Sequence, residues 1–325
     1  MSNPLNRRKF LKGSLLASAS VALAAQDHSS TASAAETPPA LAASGTLPCG
    51  KIGGLSVSRL LLGGNLLTHY THSRDLQYVY ALAAHYNTEE KILQTLALAE
   101  QYGVNTLSIH VVPETLKVLK KHREERGGKM QWIICPTAPI EGDLDAFKKQ
   151  VDQLVKDRTE ALYIWGVRSD ELVQQNKVDL LGRAVELVKS QGVPCGVGAH
   201  DLNVVIECEK SKVPADFYIK TFHHHTYPSA PRPEELTRVY NEGPGYWCKN
   251  PTETMECMAK VTKPWIAFKI MAAGAIPPNN AIKWAYKNGA DHVLAGMFDF
   301  EIKEDTRLAA EALASVTDRK RPWRS

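Results

Sequence analysis

The six cysteines of this sequence include no C-x-x-C pair, which removes zinc-ribbon and thioredoxin-like architectures. There is no H-E-x-x-H stretch and no G-x-G-x-x-G after a strand. The zinc-protease signature and the dinucleotide turn of an open doubly wound sheet are therefore both missing. No apolar run is long enough for a stable membrane span, which needs about 20 residues. Outside the N-terminus neither acids nor bases predominate. Arg7, Arg8, Lys9 and Lys12 account for the formal net charge of +4, residues 1–25 hold no acid, and the remainder carries 35 basic and 35 acidic residues. That balance points to neither a nucleic-acid nor an anionic-membrane partner.

What is present begins with an address. Asn6-Arg7-Arg8-Lys9-Phe10-Leu11-Lys12 resembles the twin-arginine export signal. A mildly apolar stretch follows over 13–25, ending in small residues suited to cleavage near Ala22-Leu23-Ala24. The resemblance implies a signal peptide over 1–25, the twin-arginine translocase as a partner during export, folding in the cytoplasm and a periplasmic or otherwise exported location. Folding in a reducing compartment argues against dependence on disulfides. Cys135 and Cys195, inside apolar runs, read as small core residues. Residues 26–45, dominated by Ala, Ser, Thr and Pro, read as a disordered linker. A globular domain over 46–317 and a basic tail over 318–325 complete the chain.

Within the domain the pattern alternates. After a hairpin around Gly53-Gly54 come strands at 56–63, 104–110, 131–135, 161–165, 194–200, 216–222, 264–270 and 292–297. Helices follow from 88 to 103 and over 113–126, 143–157, 179–190, 201–210, 252–261, 277–287 and 305–316. Helix 143–157 places Phe147, Val151, Leu154 and Val155 on one face. Short apolar strands alternating with amphipathic helices imply a parallel sheet. Eight such units over this length predict an α/β fold, a closed (β/α)8 TIM barrel. Two long loops, 64–87 after the first barrel strand and 223–251 after the sixth, are expected to converge on its carboxyl face.

The second of these loops draws attention to itself. Its strand ends in His223, His224 and His225, and a segment rich in proline, aromatics and charge follows. Connections longer than about 12–15 residues are commonly functional, and polar groups at strand carboxyl ends are where barrel enzymes keep their chemistry.

Three segments resemble the aldo-keto reductase superfamily: Lys51-Ile-Gly-Gly-Leu-Ser-Val-Ser-Arg-Leu-Leu-Leu-Gly-Gly64, Ala99-Glu-Gln-Tyr-Gly-Val-Asn-Thr106, and Ala295-Gly-Met-Phe-Asp-Phe-Glu-Ile-Lys-Glu-Asp305. They look like that family's hairpin and first strand, its joint into the second strand, and its last strand with the segment that grips the cofactor phosphate. The family's Asp, Tyr, Lys and His tetrad does not carry over. Ser108 stands for the Asp, Val111 to Glu114 supply no Tyr, Cys135-Pro136 replace the Lys, and Trp165-Gly166 replace the His. A reductase needs the tyrosine as proton donor beside the lysine. The resemblance therefore implies a divergent relative with other chemistry, for which NADPH is not the expected cofactor.

Strand ends supply His110, His200, His223, His224, His225, Lys269, Asp299 and Glu301, and the first long loop adds His69, His72, Asp75 and His85. Imidazoles from different strands, with carboxylates, suit a divalent metal such as Zn, Mn, Fe or Co. His200, His223, His224 and His225 are the expected metal ligands. Lys269, inside an apolar strand, is the expected base, its pKa lowered by burial, with Asp299 orienting it or the substrate and His110 as the third expected catalytic residue. Lys220 has a weaker version of the same case. Gly274-Ala-Ile-Pro-Pro278 precedes a helix start, a place where barrels bind anions. The expected function is a metal-assisted lyase, isomerase or hydrolase on a small carbonyl or carbohydrate-like substrate. A reductase with a substituted tetrad and a silent ligand-binding barrel are the alternatives.

Overall fold

A computed structural model describes residues 47–243 and 245–325. The expected signal peptide at 1–25 and linker at 26–45 lie outside the described residues. The domain opens with an antiparallel hairpin of β1 (Cys49–Ile52) and β2 (Leu55–Ser58). Gly53 turns it with a φ of 57°, a conformation glycine adopts without steric cost. Eight strands then close a parallel barrel: β3 (Leu60–Gly63), β4 (Thr106–His110), β5 (Gln131–Cys135), β6 (Ala161–Ile164), β7 (Cys195–Ala199), β8 (Phe217–Thr221), β9 (Trp265–Phe268) and β10 (His292–Ala295). β10 pairs back onto β3, so the sheet has no free edge. Among the described residues no helix is long and apolar enough to cross a membrane.

Strand side chains alternate between two environments, as the pleat requires. Leu61, Ile133, Ala161, Phe217, Ile219 and Ile266 fill the barrel, and Ile52 and Val57 of the hairpin close its base. The opposite parity, including Leu60, Leu62, Leu107, Trp132, Val197 and Trp265, packs against the surrounding helices. Gly196 leaves room for the interior: a Cβ there would lie 2.4 Å from the Phe217 ring.

The helices are α1 (Gln77–Tyr86), α2 (Glu89–Gln101), α3 (Pro113–Glu125), α4 (Asp145–Lys156), α5 (Gly166–Gln174), α6 (Val178–Ser190), α7 (Leu202–Lys210), α8 (Pro251–Lys260), α9 (Pro278–Lys287) and α10 (Ile302–Ser315). Two of them are absent from the sequence reading. α1 lies inside the segment 64–87 expected as loop, and α5 follows β6 directly. Neither has a side-chain N-cap or an acid in its first turn, so the usual start signals are missing. α2 does have them: the Thr88 hydroxyl accepts from Lys91 N, and Glu89 and Glu90 follow.

The basic tail at 318–325 packs into the base of the barrel. Arg321 is 1% exposed and pairs with Asp291 at 2.5 Å. It also donates to the carbonyls of Met258, Val261, Lys263 and Gly289. Trp323 lies between the guanidinium groups of Arg59 and Arg319, at 4.2 and 3.4 Å from its ring. The six cysteines are free thiols, with Cys135, Cys195, Cys208 and Cys248 buried.

Candidate active site

Ile266 and Phe268 of β9 face the barrel interior, so in a continued strand Lys269 would face the helices. It does not continue the strand. Lys269 has a φ of 56°, and Ala272, Ala273 and Gly274 also take left-handed conformations. Such conformations cost a non-glycine residue roughly 1–3 kcal/mol each and tend to gather at functional sites. The turn brings Lys269 over the barrel mouth, where its Nζ lies 5.9 Å from the Phe268 ring and 5.4 Å from the Trp247 ring. Burial lowers its pKa to about 7, against the opposing pull of Glu242.

Lys269 Nζ is hydrogen-bonded to His72 Nε2. On the other side of that ring, His72 Nδ1 bonds Glu242 Oε1 at 2.8 Å. With Glu242 as a carboxylate, Nδ1 carries the proton and Nε2 accepts from Lys269. Burial lowers the His72 pKa, partly offset by the Glu242 bond. Burial works to raise the Glu242 carboxyl, but the His72 bond and the nearby positive groups hold it below its ordinary value. The chain Glu242–His72–Lys269 joins both long loops to β9. Arg74 adds a second tie between the loops by donating to Ser229 Oγ at 2.7 Å. The expected convergence of the two loops is thus present. Tyr70 meets His72 edge-on at 5.6 Å and His110 at 5.9 Å. His110, whose pKa is lowered by burial, therefore sits on the same wall.

Across Phe268 stands His200, its ring 5.6 Å from the phenyl and 4.7 Å from Tyr240. His200 Nδ1 bonds Asp170 Oδ2 at 2.9 Å, and Asp170 Oδ1 accepts the backbone N–H groups of His200 and Asp201. This fixes the tautomer, with the proton on Nδ1 and a lone pair on Nε2. Burial lowers the His200 pKa more than Asp170 raises it, and Lys269 and Lys220 lower it further. Gly166, at the start of α5, lets the ring in: a Cβ there would lie 3.2 Å from His200 Cε1.

The remaining expected site residues lie elsewhere. His223 Nε2 accepts from Trp247 N and Cys248 N, and its Nδ1 donates to His224 O. Its burial drives the pKa to about 3. His224 bonds Thr226 in its own loop and Asn280 in the first turn of α9, after the Gly274 turn, and His225 donates to Cys248 O. None of these contacts is with His200 or Lys269. The His223 and His225 rings lie 5.4 Å apart, and among the described residues no group of three or more His, Cys, Asp or Glu side chains is arranged to hold a metal ion. Asp299 does not orient Lys269; it is bound by Tyr86 at 2.6 Å and Lys91 at 2.8 Å on the outer rim.

The segment expected to grip a cofactor phosphate carries Asp299, Glu301, Glu304 and Asp305. Burial and the charges of Glu301 and Glu304 push Asp305 up to about 7. Two of these acids are paired, Asp299 with Lys91 at 2.8 Å and Glu304 with Arg307 at 2.6 Å. The site residues that sequence reasoning missed are Asp170 and Glu242, with His72 visible only as one of several loop histidines.

No family model matches the chain, and no curated protein matches it. Solved structures share the fold. Aldo-keto reductase AKR11C1 from Bacillus halodurans, in its holo form, superposes with a TM-score of 0.54 at 12% identity, covering 83% of this chain and 96% of its own. A Pseudomonas aeruginosa protein assigned to the aldo-keto reductases gives 0.52 at 18% identity, covering 82% and 94%. Gox0644 in its apo form gives 0.51 at 12% identity, covering 85% and 95%. At these identities the likeness is one of fold.

Proposed function

We propose that this chain is an exported barrel enzyme that moves protons on a small carbonyl or carbohydrate-like substrate, as an isomerase or a lyase does. The observation that carries the reading is the hydrogen-bonded chain from Glu242 through His72 to Lys269. A lysine with a pKa of about 7 is substantially neutral at physiological pH, which is what a general base requires. His72 receives a hydrogen bond from the amine, and Glu242 compensates the charge that forms when Lys269 becomes an ammonium. On an α-hydroxy carbonyl, Lys269 takes the carbon-bound proton and returns it to the neighbouring carbon. His200 Nε2 takes the hydroxyl proton and gives it to the other oxygen, its ring held by Asp170. Export is proposed on the Arg7-Arg8 segment.

Each proton transfer is written on the chain's own residues, Lys269 with His72 and Glu242, and His200 with Asp170. A sub-micromolar NADPH dissociation constant, about –8 kcal/mol or tighter, would instead return the reductase reading. The direct test is deuterium uptake at the carbon beside the carbonyl of simple α-hydroxy aldehydes in D2O, followed by NMR. The wild type is expected to exchange and Lys269→Met is not. Equal exchange by both proteins would refute the assignment. Borohydride trapping of a substrate adduct on Lys269 would turn the role from base to imine-forming amine.

A further inference from the structure

Lys220 is the most deeply buried lysine near the site, and the reaction above does not use it. On β8, Phe217 and Ile219 face the barrel interior, and Lys220, of opposite parity, lies between the barrel wall and the helices. It is 1% exposed. Among the described residues its Nζ bonds only the next one, Thr221 O at 3.0 Å and Thr221 Oγ1 at 2.9 Å. These two acceptors leave one of the three donors of an ammonium over. Among the described residues no carboxylate forms an ion pair with it, whereas buried lysines are ordinarily paired. Beside it is a cavity of about 150 Å³. A water's share of liquid volume is about 30 Å³, so the space accepts a larger group.

The cavity walls are built for negative charge. Lys220 and Lys249 line it together, with His200, Asp201, Asn250 and Thr254. Asp201 begins α7 and Asn250 begins α8, so two helix N-termini converge there. The Asp201 carboxylate is the one acid in the lining; its Oδ1 caps α7 by accepting from Asn203 N at 3.0 Å, and the two lysines outnumber its charge. α8 has no side-chain cap, which leaves its first-turn N–H groups without that partner. His200 belongs to both this cavity and the site beside Lys269.

We infer that the cavity bounded by Lys220, Lys249 and the starts of α7 and α8 binds the anionic group of the substrate, a phosphate or a carboxylate. This rests on the reading of His200 and Lys269 given above. The anion supplies the counter-charge that Lys220 lacks, and His200 separates it from the reacting carbon. Substrates are then small acidic carbonyl compounds, and a neutral sugar leaves the cavity without its charge.

The test uses the full chain and inorganic phosphate, with acetate as the second probe, by titration calorimetry. The wild type is expected to bind phosphate saturably. Lys249→Met, at a half-buried position, and Lys220→Met should each weaken binding at least about tenfold, the loss of one charge-assisted hydrogen bond. Far-UV circular dichroism checks that both variants are folded. Lys269→Met should bind phosphate unchanged. Tighter phosphate than acetate assigns phosphate esters, and the reverse assigns carboxylates. No saturable binding of either probe overturns the inference, as does undiminished affinity in both lysine variants. If phosphate binds while no carbonyl compound exchanges its proton, the reaction falls and the anion site stands.

Discussion

His72 and Lys269 stand 197 residues apart in the chain and share a hydrogen bond at the barrel mouth. One comes from the loop after the first barrel strand, the other from the left-handed turn after the seventh. The Glu242 carboxylate behind His72 raises the pKa that burial lowers to about 7. Glu242→Gln removes that charge, so the Lys269 pKa should fall. Proton exchange should then gain its full rate at lower pH than in the wild type. The pH profile of exchange checks this, and an acid limb that stays in place would separate Glu242 from Lys269.

The same lysine sets a pH dependence of stability. Its pKa is about 7 in the folded chain and 10.5 ordinarily. Between these values the unfolded chain binds more protons, so wild-type stability gains with rising pH across that window. Below pH 7 both states are protonated and the burial penalty is complete. Lys269→Met should therefore be more stable than the wild type below pH 7, with the difference shrinking toward pH 10. Urea midpoints at pH 6 and pH 10 measure it.

How far the sequence discloses this site depends on what each residue's signal is made of. The barrel was legible because apolar strands and capped helices obey local rules: Thr88 caps α2 and Asp201 caps α7 through their own side chains. Asp170 was not legible, because it rides on α5, which starts at Trp165-Gly166 without a cap or an early acid. Lys269 stood out as a charge in an apolar run, but strand parity alone would turn it outward. The left-handed turn that redirects it falls on Lys269, Ala272 and Ala273, residues with no preference for that conformation. The histidine run shows the opposite case. Three polar rings at a strand end look like ligands, yet buried imidazoles must find partners, and here the backbone of Trp247 and Cys248 and the side chains of Thr226 and Asn280 supply them.

The C-terminal segment should matter for stability and not for chemistry. Arg321→Ala leaves Asp291 buried at 0% exposure without its closest cation; Arg319 remains at 3.8 Å, and Trp265 N and Arg324 N still donate to it. Removing one partner of a buried ion pair costs about 3–5 kcal/mol. Chemical denaturation should show a loss of that size. Proton exchange at a temperature where the variant is folded should match the wild type.

Export is checked by replacing Arg7 and Arg8 with Lys, which keeps the charge and removes the arginine pair. The expected outcome is retention in the cytoplasm, read by cell fractionation. Unchanged export in the double variant would end the proposed location.

Asp170→Asn isolates the role of the second histidine. Asp170 holds His200 in two ways: Oδ1 accepts two backbone N–H groups, and Oδ2 accepts the ring Nδ1–H. An asparagine oxygen can keep the backbone pair, so the loop after β7 should hold its shape. The amide NH2 now faces Nδ1 and donates to it, which moves the ring proton to Nε2. His200 then has no lone pair toward the substrate and cannot accept the hydroxyl proton. Positioned acid–base groups contribute about 10²–10⁴-fold, so turnover of an α-hydroxy carbonyl should fall within that range. Exchange of the carbon-bound proton by Lys269 should fall less, because that step uses the other base. Thermal unfolding near the wild-type midpoint would show that the fold persists. Equal losses in turnover and exchange, or none in either, would show that His200 does not carry the oxygen-bound proton.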